Sequence, residues 1–537
     1  MMSVAFRFWA LGWLLLANLA RGGSVWPKPA YQVQTKQEFV LSSKDLFSFR
    51  YEGMSMTIWL AAARYRTIIF EVPTQTRRSS IPDEAMPLYE LVIQIESEDE
   101  TLNVGETDES YLITVGTYSE NGTATAVLAA RTVPGALRGM ETFAQLIDGI
   151  DSEPDVRVMS GVHIVDKPRF PVRGLMIDTA RHYLTTGTIQ SVIDGMSYNK
   201  LNLLHWHMSD NIAFPFDSLK WPKLAKYGAH LYPSHTYTPI DVSMIVEYAK
   251  RKGVQVMIEI DSPGHAGGML KGYPEYAPDC LNPTYGPLDP SNPDTFTFLM
   301  KLWTELFEIV PSHLVHIGGD EVDPTCWLQS PRVQQFMKDN NFTTGEQVQS
   351  YFERRLIGHM EARSKRSMVW QEVFFRSGDT PPPITTLINV WEPHDDNWKK
   401  KLAAVTAQGY SAVLSAPWYL DQISSTQDWI KFYQQEPLDF IGPVAQKNLV
   451  IGGEACMWGE YVDGANIIQR VFPRASAVAE RLWSDRAVTD IEDATLRLQE
   501  FRCKLLTRGI QAESLGPNNY CIEEWDVSKS PIHPGIL

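Results

Sequence analysis

Between residues 172 and 456 the chain repeats one pattern: a short apolar run that closes on polar, charged or aromatic residues, then a longer stretch with helical spacing. The runs are 172–178, 201–207, 253–260, 313–319, 367–371, 385–391, 412–417 and 449–456. After the first, Ile189, Val192, Ile193 and Met196 recur at helical intervals, and Met300-Lys-Leu-Trp-Thr-Glu-Leu-Phe-Glu-Ile-Val precedes the fourth. A strand apolar on both faces lies between a core and a covering helix, so eight such strands in one block predict an α/β fold closed as a (β/α)8 TIM barrel. An open doubly wound sheet is the alternative, and the count of eight favours closure.

Upstream the rhythm differs. Segments such as Leu88-Tyr-Glu-Leu-Val-Ile-Gln-Ile and Tyr111-Leu-Ile-Thr-Val alternate as strands do, and Ala136-Leu-Arg-Gly-Met-Glu-Thr-Phe-Ala-Gln-Leu-Ile reads as a helix. A smaller α+β domain is therefore expected over 23–167. The Pro-rich Lys167-Pro-Arg-Phe-Pro-Val marks its end, because proline lacks a ladder donor and breaks helices. The barrel with a C-terminal extension then occupies 168–537.

The first 22 residues place Arg7 ahead of an apolar run from Phe8 to Ala20 and close on small residues, the pattern of a cleaved signal peptide and too short for a membrane span. No later stretch is apolar enough to cross a bilayer. An oxidising route makes the five cysteines disulfide candidates: Cys280 with Cys326, in successive loops, and Cys503 with Cys521, bracketing the C-terminal segment, with Cys456 buried and reduced inside an apolar run. The sequons at Asn121 and Asn341 fit the same route. A net charge of -16 argues against nucleic acid as a partner, since phosphate binding needs clustered cations.

In a barrel, catalytic groups come from the C-terminal ends of the strands. Here those ends carry Asp178-Thr-Ala-Arg-His-Tyr, His205-Trp-His-Met-Ser-Asp, Glu259-Ile-Asp-Ser-Pro-Gly-His, Asp320-Glu, Trp370-Gln-Glu, Trp391-Glu, Pro417-Trp-Tyr-Leu-Asp and Trp458-Gly-Glu. Trp370, Trp391 and Trp458 offer flat apolar walls, while Arg181, Asp210, Asp421 and Glu460 offer charged hydrogen-bond partners. A neutral sugar ring presents both matching surfaces. Any one tryptophan could equally be a large core residue. His205-x-His207 puts two imidazoles on one face of a strand, as metal ligands would stand, but no further His-rich strand end accompanies it, so a supporting role is expected. A serine hydrolase would need a Gly-x-Ser-x-Gly elbow, which the chain lacks.

These strand ends, with Arg173-Gly, Leu204-His-Trp-His, Asp261-Ser-Pro-Gly-His, His316-Ile-Gly-Gly-Asp-Glu-Val-Asp, Val369-Trp-Gln-Glu, Ala416-Pro-Trp-Tyr-Leu-Asp, Gly452-Gly-Glu-Ala-Cys-Met-Trp-Gly-Glu and Pro473-Arg-Ala-Ser-Ala-Val-Ala-Glu-Arg-Leu-Trp, closely resemble glycoside hydrolase family 20. Within it the match is to lysosomal β-N-acetylhexosaminidases, in order over nearly the whole mature chain. The resemblance implies an exo-acting retaining glycosidase whose nucleophile is the substrate's own 2-acetamido oxygen, an exception to the two-carboxylate scheme. It makes Glu321 the general acid and then base, with a raised pKa, Asp320 the partner of the acetamide N–H and of the oxazolinium ion, and Tyr419 a donor to the acetamide oxygen. Trp370, Trp391 and Trp458 would wall the ring, Arg181, Asp421 and Glu460 would hold its hydroxyls, and Asp210 and His265 would support the acid.

The resemblance further implies no cofactor or metal, a glycan, glycolipid or chitooligosaccharide substrate, a homodimer formed through barrel helices, and a lysosomal destination with secretion as the alternative. Three positions depart from the pattern. Asn211 follows Asp210 where a second aspartate is usual. Asp421-Gln422 lacks the Asn-Arg pair associated with anionic sugars, which predicts preference for neutral terminal N-acetylglucosamine and N-acetylgalactosamine. The N-terminal domain has no cysteine pair.

Overall fold

The computed structural model describes residues 24–524 apart from 75–76, 119–121, 282–285, 393–396, 518 and 522–523. The expected signal peptide and the Asn121 sequon lie outside the described residues. Residues 31–166 build a nine-stranded mixed sheet whose main path runs Ser48–Tyr51, Glu90–Ile95, Ala124–Ala130, Tyr111–Tyr118, Arg157–Asp166, Tyr31–Leu41 and Met86–Leu88. The stretch expected as one strand from Leu88 to Ile95 is two. Met86–Leu88 pairs with the strand Tyr31–Leu41 at one edge, and after Tyr89 the chain joins Ser48–Tyr51 near the other. Helices Met56–Phe70 and Val133–Gln145 share one apolar core with the sheet through residues such as Ile58, Tyr65, Leu137 and Phe143.

The second unit is a closed parallel barrel. Its strands are Val172–Asp178, Leu203–Ser209, Gln255–Ile260, Leu314–His316, Arg366–Trp370, Leu387–Val390, Ala412–Leu414 and Val450–Met457, and the eighth pairs with the first. The longer helices Thr186–Tyr198, Pro239–Arg251, Pro293–Ile309 and Gly345–Glu361 start on side-chain caps. Thr238 accepts from Asp241 N while the Asp241 carboxylate accepts from Thr238 N, which satisfies backbone donors that the first turn leaves open. The fourth strand is shorter than the expected 313–319 because Gly318 and Gly319 turn into the left-handed region at φ 74° and 98°, which ends a ladder.

Alternate residues of each strand face opposite ways. One set, including Leu204, Trp206, Val256, Ile258, Val315, Val369 and Ile388, packs in the large core formed with the helices. The other fills the barrel. Val172, Leu203, Met257, Leu314, Met368, Leu387 and Val413 form an apolar layer, and Val104 from the N-terminal unit packs into it while its N–H donates to Gln255 at 2.9 Å. Buried polar contacts also tie the units. Glu109 pairs with Arg138 and Arg173, and Asp166 accepts from Trp483 Nε1 and stands 3.2 Å from Lys200 Nζ. Disulfides join Cys280 to Cys326 and Cys503 to Cys521, while Cys456 is free and buried on the eighth strand.

Candidate active site

Asp320 and Glu321 emerge from the fourth strand through the Gly318-Gly319 turn. A Cβ on Gly318 would lie 1.6 Å from Asp261 Oδ1, and one on Gly319 would lie 2.4 Å from Val373 Cγ2. That close approach lets Asp261 Oδ1 accept Gly319 N at 3.0 Å and fixes the turn. Glu321 itself has φ 48°, a strained value for a side-chain-bearing residue, and such strain collects at functional positions. Asp320 is nearly buried, whereas the Glu321 side chain keeps 61% of its surface exposed. Carboxylate oxygens of the two acids and a His265 nitrogen all lie within 4.8 Å of one another.

From the first strand end, Asp178 Oδ1 accepts the N–H groups of Ala180 and Arg181, folding the chain so that the Arg181 guanidinium reaches Asp178 at 2.9 Å and Asp210 at 2.8 Å. Glu460 lies 3.8 Å away, and the guanidinium sits over the Trp458 ring at 4.9 Å. Asp210, just past the second strand, accepts from His207 Nε2 at 3.3 Å and stands 3.1 Å from His265 Nδ1. The other His265 nitrogen is 3.6 Å from Glu321 and 3.8 Å from Asp320. Asn211 accepts Gly267 N at 3.0 Å and so pins the loop carrying His265.

Trp370, Tyr419, Met176 and Cys456 pack together with Trp391 and Trp458 against them. Trp370 and Trp458 ring centres are 5.9 Å apart, and those of Trp391 and Tyr419 6.2 Å. Tyr419 is held by a parallel bridge to Cys456 and a hydrogen bond from Leu420 N to Cys456 O. Trp391 Nε1 donates to Glu372 at 2.9 Å. Asp421 is pushed up to about 6 by burial and by the charge of Glu460.

The raised pKa expected for Glu321 is not what the open pocket gives. The nearby His265 imidazole lowers it, outweighing the opposite effect of partial burial. For His265 burial alone would lower the pKa, yet Asp320, Asp210 and Glu321 together push it up to about 12. The structure therefore places one imidazole nitrogen within reach of both acids, a feature that adjacency of Asp320 and Glu321 in sequence does not reveal. Glu372 is pushed up to about 7 by burial and by Asp320.

Several buried polar atoms on this face have no hydrogen-bond partner among the described residues, among them Asp320 Oδ1 and Asp421 Oδ1. Unsatisfied buried groups are rare, so these mark positions for a ligand's own polar groups. The set His205, Glu259 and His316 has the spacing to hold a cation. Glu259 already faces ring nitrogens on both oxygens: Trp370 Nε1 donates to it, His205 Nε2 and His207 Nδ1 lie in hydrogen-bond range, and His316 Nδ1 accepts Gly318 N at 3.2 Å, so these nitrogens are already engaged within the protein. A cavity of about 580 Å³ between Phe342, Tyr351, Arg354 and Arg376 is lined by none of the strand-end residues named above.

Sequence reasoning gave no role to Glu259, His316, Glu454 or Glu372, although Glu259 and Glu372 stand among the strand-end residues it picked out. The period-two register from Leu203 through His205 to His207 was the available signal for the interior three: a polar residue in step with the inward apolar ones is itself inward.

A family model, "Glycosyl hydrolase family 20, catalytic domain", matches residues 170–486, and a second, "beta-acetyl hexosaminidase like", matches 25–146. The chain is 40% identical to the beta-hexosaminidase subunit beta of Felis catus, covering 95% of this chain and 96% of the relative. It is 38% identical to the subunit alpha of Rattus norvegicus, covering 97% and 99%. Among solved structures, a chitobiase of Flavobacterium johnsoniae superimposes with a TM-score of 0.77 at 27% identity, covering 91% of this chain and 73% of the other.

Proposed function

The chain belongs to glycosyl hydrolase family 20, and on that premise we propose that it removes terminal β-linked N-acetylglucosamine and N-acetylgalactosamine with net retention, by participation of the substrate's acetamide. The observation that carries this reading is the triangle of Asp320, Glu321 and His265 at the mouth of a tryptophan-walled pocket. Two acids this close to each other, drawn from adjacent residues, suit different parts of one sugar. Asp320, nearly buried among the aromatic rings, orients the acetamide N–H and stabilises the cationic oxazolinium ion. Glu321 faces the open side and reaches the glycosidic oxygen. Tyr419 donates to the acetamide oxygen, and Trp370, Trp391 and Trp458 enclose the ring and methyl group.

A sugar seated over Glu321 removes its water and raises its pKa toward that of a working acid. His265 then steadies the carboxylate formed after proton transfer, until a water is activated in the second half of the reaction. Arg181, Asp421 and Glu460 serve the hydroxyls of the non-reducing end. The carboxyl groups of Asp421 and Glu460 offer no positive charge to pair with a sulfate, which supports preference for neutral substrates.

The test is release of nitrophenol from a 4-nitrophenyl N-acetyl-β-glucosaminide at acidic pH. The wild-type protein is expected to be active, and Asp320→Asn to lose about 10²–10³ in kcat, because an amide is a poorer partner for the developing cation. A near-wild-type kcat in Asp320→Asn sinks the assisted mechanism. Equal turnover of 6-sulfated and neutral substrates would overturn the specificity.

The same reading makes the protein a lysosomal homodimer acting on glycoconjugates. The mammalian subunits it resembles support this, as does the exposed turn that carries Asn341 as a glycan acceptor. No described helix is long and apolar enough to cross a membrane. Chitooligosaccharide processing is the second reading, favoured by the likeness to the chitobiase. Comparing chitobiose with glycan and glycolipid substrates separates the two.

A further inference from the structure

We propose that Glu259, which never meets the sugar, positions both the pocket floor and the acid through its two carboxylate oxygens; the inference rests on the glycosidase reading above. Glu259 is fully buried near the end of the third barrel strand. Its Oε1 accepts Trp370 Nε1 at 2.8 Å and stands 2.9 Å from His316 Nδ1. Its Oε2 stands 2.9 Å from His205 Nε2 and 2.5 Å from His207 Nδ1. One side chain thus gathers ring nitrogens from the second, fourth and fifth strands.

Each branch ends in the site. Through Oε1, Glu259 sets the tilt of Trp370 and fixes His316, two residues before the Gly318-Gly319 turn. Through Oε2 it holds His207, whose other nitrogen donates to Asp210; Asp210 contacts Arg181 and His265, and His265 contacts Glu321. On the far side His205 bridges to Glu454, itself bonded by Asn389. The groups facing Glu259 are therefore His205, His207, His316 and Trp370, with Glu454 beyond His205 and Asp261 two residues along its own strand. Burial opposes its ionisation, but the imidazoles of His316, His207 and His205 around it hold its pKa well below the usual range. The hub is a carboxylate, an acceptor on both oxygens.

Glu259→Gln keeps the shape and turns one oxygen into an N–H donor, so either Trp370 detaches or His205 and His207 give up the protons that face it, and in each case a branch is weakened. The full-length protein is assayed from pH 3.5 to 8 on two N-acetyl-β-glucosaminides, one with a 2,4-dinitrophenyl and one with a methyl leaving group. Only the second needs strong acid assistance. In the folded variant, kcat on the methyl glycoside is expected to fall about 100-fold and on the dinitrophenyl glycoside about tenfold, and the basic limb of the pH profile is expected to move. A loss equal for both leaving groups with an unmoved pH profile, or no loss, overturns the inference. If Glu259→Gln fails to fold by circular dichroism, His207→Gln cuts only the Oε2 branch and must show the same leaving-group split; its absence overturns the inference equally. An inert wild-type protein would instead refute the glycosidase reading itself.

Discussion

The lower and upper layers of the barrel interior come from the same strands two residues apart. Below lie Leu203, Met257, Leu314, Met368 and Leu387; above, one pleat along, lie His205, Glu259, His316, Trp370 and Asn389. The lower layer is aliphatic and sealed by Val104. The upper is a buried network in which acids and imidazoles neutralise one another, His205 being pushed up to about 9 because Glu454 and Glu259 outweigh the effect of burial. Both layers exclude water, so burial alone does not distinguish them. Removing a methylene group below leaves a void, whereas removing a partner above leaves a buried charge or donor unmatched and moves the groups it held.

The sharpest break in this contrast is Gly318→Ala, at the top of the upper layer. A Cβ there would collide with Asp261, and φ 74° is unfavourable for alanine. Displacing the turn shifts both acids, so kcat is expected to fall at least about 100-fold, with about 1–3 kcal/mol of strain lowering stability as well. Steady-state kinetics beside a thermal melt checks it. Wild-type kcat would mean that the turn does not set the acids.

In the lower layer, Leu203→Ala should do the reverse. The side chain is fully buried in the aliphatic plug. The expected loss is about 2–5 kcal/mol of stability, with kcat of the folded fraction unchanged. Denaturant unfolding and active-site-normalised kinetics test this, and a kcat drop matching that of an upper-layer variant would erase the distinction between the layers.

The same contrast explains what the sequence revealed. All eight barrel strands were legible, because helices cover one face and the barrel core the other, giving continuous apolar runs. The residues after each run were legible as a sugar site because they sit together at the strand ends. The upper interior was harder to read. His316 and Glu454 lie inside runs judged as wholes, and the roles of His205 and Glu259 depend on cross-strand register, which no single run contains. Glu372 carried no role for the same reason: its partners Asp320 and Trp391 belong to the ends of other strands.

Glu372 gives the smallest effect and the finest test of how far the charged layer extends. Its folded pKa of about 7 lies above the roughly 4.3 of an unfolded glutamate. The folded protein therefore holds a proton that the unfolded chain releases first as pH rises. The stability this contributes is fully present below about pH 4, is lost as pH climbs through about 7, and stays constant beyond. Glutamine cannot ionise, yet it retains an oxygen for Trp391 Nε1. Glu372→Gln is thus expected to lose less stability than wild type between pH 4.5 and 7.5, by about 3 kcal/mol at most, with activity at acidic pH retained. Melting temperatures of both proteins at the two pH values measure the difference. Parallel losses would mean that Glu372 ionises normally and that the like-charge pressure of Asp320 does not reach it, confining the charged layer to the strands below the acids.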